Sequence, residues 1–92
     1  MARSRAAIEE GFAQIERAAL AGERCPSTHG TYNSSGTLSS GITTMLLREG
    51  RIKIEIYGRN WRVIEILKGP NAGKRTKEAP GYPKVWPYRT LP

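Results

Sequence analysis

The chain has 92 residues, of which 15 are lysine or arginine and 8 are acidic, for a formal net charge of +7. That length supports one small domain with a modest core, and a single cysteine, Cys25, excludes an intramolecular disulfide. No apolar run of about 18 residues and no apolar leader segment is found, so the expectation is a cytoplasmic chain, outside the membrane and in a reducing compartment.

The charge is uneven. Residues 1–47 hold four basic and four acidic residues, whereas residues 48–92 hold eleven basic and four acidic ones, so the whole excess lies in the second half. A basic half of this kind is the electrostatic footprint of a polyanion binder, with a solubilising surface charge as the plainer alternative.

In chain order, Ile8, Phe12, Ile15 and Ala19 recur at helical spacing and predict a helix over 4–20, capped by Ser4 and stopped by Gly22. Gly11 inside it costs about 1 kcal/mol relative to alanine. The segment "CPSTHGTYNSSG", residues 25–36, is rich in turn and cap residues, with room for one short helix opened by Pro26 or Ser27. Over 37–49, Leu38, Ile42, Met45 and Leu46 predict a second amphipathic helix, capped by Ser35 or Thr37 and stopped by Gly50. Its other face carries Ser39, Ser40, Thr43, Thr44 and Arg48.

The stretch "RIKIEIYGRNWRVIEI", residues 51–66, alternates with period two on both sides of Gly58-Arg59-Asn60 and predicts a β-hairpin. A three-residue loop sets Tyr57 opposite Trp61, Lys53 opposite Glu65, and Ile52 and Ile54 opposite Ile66 and Ile64. All five isoleucines then share one face, and a slip of one residue would throw Ile64 and Ile66 to the other. A lone hairpin is marginal in water, so that face needs a partner in the chain.

After Leu67, "KGPNAGKRTKEAPGYPKVWPYRTLP" holds five of the six prolines and no periodic apolar face, which predicts a tail or extended arm. Its basic residues Lys68, Lys74, Arg75, Lys77, Lys84 and Arg89 are interleaved with Tyr82, Trp86 and Tyr88. Two roles stay open: neutralising phosphates and stacking on single-stranded bases, or covering apolar surface of the domain or of a second subunit.

Catalytic patterns are weak. "GPNAGKRT" departs from the phosphate-binding P-loop, because Gly69 and Gly73 are one residue too close and Arg75 separates Lys74 from Thr76. Cys25 and His29 are spaced like two zinc ligands, but a structural site needs four. As a nucleophilic pair they lack an orienting acid. No enzyme activity, metal or cofactor is expected.

The stretch "TTMLLREGRIKIEIYGRNWRVIEI" resembles the second half of a winged helix-turn-helix domain, in which a recognition helix ends in an apolar pair and a glycine and leads into a two-stranded wing. The resemblance implies an α+β fold of two or three helices followed by a β-hairpin wing over residues 1–67, with an extended tail over residues 68–92. It implies duplex DNA binding as a small transcriptional regulator, at the nucleoid in the cytoplasm, with a homodimer on paired half-sites left open. By carry-over, Ser39, Ser40, Thr43 and Thr44 face the major groove and give modest base readout, since none makes a bidentate base contact. Arg59 at the wing tip reaches a phosphate or the minor groove. Arg48, Arg51 and Arg62 serve as phosphate contacts, with Lys74 and Arg75 adding affinity from the tail. An architectural or recombination-accessory protein of low sequence specificity, or a protein-interaction module, are the alternatives.

Overall fold

The computed structural model describes residues 4–26, 40–58 and 61–91. Among these residues two helices, α1 (Arg5–Ala21) and α2 (Ser40–Arg48), precede three strands, β1 (Ile52–Tyr57), β2 (Trp61–Ile66) and β3 (Arg89–Leu91). The sheet is antiparallel, in the order β2-β1-β3. The result is a small α+β fold in which a third strand joins the expected hairpin.

The helix ends follow from their caps. The Ser4 side chain accepts the Ala7 N–H at 3.1 Å, satisfying a donor that has no partner inside the helix. Gly22 closes α1 in the left-handed conformation at φ 69°, and Gly50 does the same after α2 at φ 68°. The expected caps Ser35 and Thr37, and the short helix expected within 25–36, lie outside the described residues apart from Cys25 and Pro26.

The hairpin register is the one the alternation dictates, with Tyr57 opposite Trp61, Lys53 opposite Glu65 and Ile54 opposite Ile64. Ile52, Ile54, Ile56, Ile64 and Ile66 pack with Ile8, Phe12 and Ile15 of α1 and Leu46 of α2 into the main core. Burying each such side chain contributes roughly 1.5–3 kcal/mol, and this is the partner the lone hairpin required.

Lys53 and Glu65 stand opposite each other, yet among the described residues their ion pairs run elsewhere. Glu65 receives Arg75 at 2.9 Å, and Lys53 lies 4.0 Å from Glu55.

Residues 67–91 are not a free tail. Gly73 donates to the Ile66 carbonyl, Ile66 to Lys74 and Thr76 to Ile64, so the arm first runs along the outer edge of β2. Thr76 is 1% exposed, and its hydroxyl oxygen accepts the Ile64 N–H at 2.9 Å. The arm then crosses the face opposite the helices, where Ala79 packs with Tyr57 and Val63, and returns as β3 on the far edge of β1. The hairpin is thus bonded along both edges, which removes the unpaired backbone that exposed edge strands present.

Candidate nucleic-acid interface

Register decides which arginines meet carboxylates. On the face opposite the helices, Lys53, Glu55 and Tyr57 alternate along β1, with Trp61, Val63 and Glu65 along β2. The arm lays Arg75 across this face, where its guanidinium donates to Glu55 at 2.6 Å, Glu65 at 2.9 Å and Glu78 at 3.0 Å. Burial disfavours the charge on Arg75, but the bonds to Glu78 and Glu55 outweigh it and raise its pKa. Glu55 also accepts the Tyr57 hydroxyl at 3.0 Å. Burial, followed by that bond, pushes the Tyr57 pKa up to about 12.

Arg51 is held in the same manner at the junction of the helices. It sits 4.1 Å over the Phe12 ring and grips both carboxylate oxygens of Glu9, at 2.7 and 2.8 Å. Arg5 adds a bond to Glu9 at 3.2 Å and another to Glu49 at 2.6 Å. Hydrogen bonds from Arg51 and then Arg5 lower the Glu9 carboxyl from 4.5 to about 2. Arg51 and Arg75, expected to touch phosphate, are thus ion-paired within the fold, and neither lines the cleft beside α2.

Arg62 in β2 and Arg89 in β3 both pair with Ile56 of β1, so the two guanidinium side chains flank Ile56 in one row across the sheet. Paired residues share a face, which places both arginines on the isoleucine side. They line the cleft, of about 220 Å³, with Ser40, Thr43, Thr44 and Leu47 of α2. Among the described residues no carboxylate pairs with either arginine. Two guanidinium groups that meet no carboxylate among the described residues suit a ligand rich in acceptor oxygens.

The α2 face differs from expectation in detail. Thr43 is only 6% exposed. The hydroxyls of Thr43 and Thr44 both donate to the Ser40 carbonyl, at 2.8 and 2.9 Å, so neither proton is free for a base or phosphate. Ser40, Thr44 and Arg48 are exposed and, spaced by four, form a single stripe along the helix. Lys74 is exposed at the opposite end of β2 from Arg62, its carbonyl accepting the Ile66 N–H. Ser39 and Arg59 lie outside the described residues.

Arg89 is the site residue that sequence reasoning passed over, counting it only among the basic residues of the arm. Its sequence signal was slight: Tyr88 and Thr90, residues that favour strands, flank Arg89 just after Pro87. Compared with family models, curated proteins and solved structures, the chain matches none.

Proposed function

We propose that the protein binds duplex DNA as a winged-helix module of the small-regulator kind, with α2 toward the major groove and the β1–β2 hairpin as the wing. The carrying observation is the Arg62–Ile56–Arg89 row, which meets no carboxylate among the described residues and lies beside the exposed Ser40, Thr44 and Arg48 stripe. Guanidinium groups at this spacing meet phosphate oxygens with charge-assisted bonds and set the register of the protein on the duplex. The direct passage from α2 through Gly50 into the hairpin supports the winged-helix reading.

A second reading, an architectural protein with little sequence preference, is favoured by the two threonine hydroxyls. With both donating to the Ser40 carbonyl, the helix keeps few groups that discriminate bases.

Titration of labelled duplexes against salt tests the proposal. Log affinity should fall steeply with log salt, and replacing both Arg62 and Arg89 with alanine should lower the slope by about 2, one for each phosphate the pair neutralises. Absence of duplex binding, or an unchanged slope in the double variant, overturns it. A pool of random duplexes bound as well as any selected sequence supports the architectural form.

A further inference from the structure

The segment after Glu78 carries Lys84 and Arg89 and no acidic residue, and it exposes large aromatics: Trp86 is 90% and Tyr88 68% exposed. This display is not a loose chain end. The Tyr82 N–H donates to Ala79, those of Lys84 and Val85 to Gly81, and that of Tyr88 to Ile56 of β1. Tyr82 anchors the loop, edge-on to Tyr57 at 6.4 Å between ring centroids and beneath the Arg75 guanidinium at 5.4 Å. Between this loop and the turn end of the hairpin lies a cavity of about 240 Å³, bordered by Tyr57, Trp61, Pro80, Val85 and Trp86. Its size falls below the roughly 300–1,000 Å³ of pockets that enclose whole small ligands, so it suits one planar group.

The polar ends of its aromatics are already used. The Trp61 indole N–H donates to the Lys77 carbonyl at 3.1 Å, and the Tyr57 hydroxyl donates to Glu55. What remains for a ligand is ring surface, with the cation Lys84 close in sequence and no carboxylate among the lining residues to repel a polyanion. Glu78, the last acid, is bound to Arg75.

We infer that the Trp86–Tyr88 loop is a stacking platform for unpaired bases of a single-stranded nucleic acid, whose phosphates Lys84 neutralises. Exposed rings beside cations are how strands are held without reading sequence, since every base has a π-face. Trp86 and Tyr88 are two residues apart, so their α-carbons lie within about 7 Å and one strand engages both. Trp86 borders a cavity other than the cleft beside α2 that Arg62 and Arg89 line, so replacing Trp86 should leave duplex binding as it is.

The test is tryptophan fluorescence of the full chain titrated with oligo(dT) and oligo(U) of about twelve nucleotides, within the span of single-strand sites. Quenching by one or both is expected, with the two probes separating DNA from RNA. Trp86→Ala should weaken binding roughly ten- to a hundredfold, the worth of one stacked base, while Trp86→Phe retains most of it. Trp61, packed under Arg24 at 3.9 Å, reports in Trp86→Ala that the fold persists. Absence of oligonucleotide binding, or equal affinity in Trp86→Ala, overturns the inference. So does nucleic-acid-independent dimerisation by sedimentation that Trp86→Ala abolishes, because the rings would then belong to an interface between copies.

Discussion

The two faces of one small sheet treat arginine in opposite ways. Opposite the helices, Arg75 lies among three carboxylates; on the isoleucine face, Arg62 and Arg89 flank a hydrophobic residue and pair with no acid among the described residues. The strand alternation that sends Glu55 and Glu65 to one side sends Arg62 to the other. A net charge of +7 therefore says little about which cations meet a partner. Arg5, Arg17, Arg51 and Arg75 all pair with glutamates, and the charge left for a polyanion belongs to the remainder.

The largest effect that would break this comparison comes from Arg75→Met. With its partners left together and partly buried, the variant should lose about 2–3 kcal/mol of stability in chemical denaturation. That is below the usual cost of orphaning a fully buried ion, because Arg75 and its carboxylates retain some exposure. The remaining glutamates would then repel one another, so the variant should gain stability on mild acidification, where the parent loses it. Duplex affinity should be unchanged wherever the variant is folded. A stable variant with weakened DNA binding would place Arg75 on the wrong side of the comparison.

A smaller effect sharpens it at Arg51. The Glu9 carboxyl is held near 2 in the folded chain against an ordinary 4.5. A depressed folded value means that the pair stabilises fully above pH 4.5 and that this contribution is lost as pH falls toward 2. Glu9→Gln removes that part of the dependence. Its denaturation midpoint should fall less than the parent's between pH 5 and pH 3, with the duplex salt slope unaltered. Parallel curves for the two proteins would show that the Arg51–Glu9 grip adds nothing to folding.

Much of this was legible in residues 4–22 and 51–66, where one period dominates: Ser4, Gly22 and the isoleucine alternation leave little choice of boundary or register. The arm was not. Its prolines break every periodicity, and its order comes from long-range partners: Thr76 on Ile64, Tyr82 on Tyr57, Arg89 opposite Ile56. One clue did lie in the register itself. It puts Glu55 and Glu65 on the same face of the hairpin, two carboxylates in need of a cation, and Arg75 is the residue the arm delivers. The α2 surface was half legible, since helical spacing selects the outward stripe but does not show that two threonine hydroxyls turn back onto the Ser40 carbonyl.

The smallest predicted effect sits where the two kinds of arginine come nearest in sequence. Arg48 lies on the exposed stripe of α2 and Arg51, three residues on, is drawn under Glu9; the turn between them pivots on Gly50 at φ 68°. A Cβ at Gly50 would meet only the flexible end of Lys68, 3.8 Å away, so space does not forbid a side chain. The backbone conformation does, because L-residues reach this region at a cost of about 1 kcal/mol. Gly50→Ala should therefore lower stability by about 1 kcal/mol in chemical denaturation and leave the duplex salt slope as it was. A changed slope would mean that the turn, by aiming Arg48, sets the DNA contact as well as the fold.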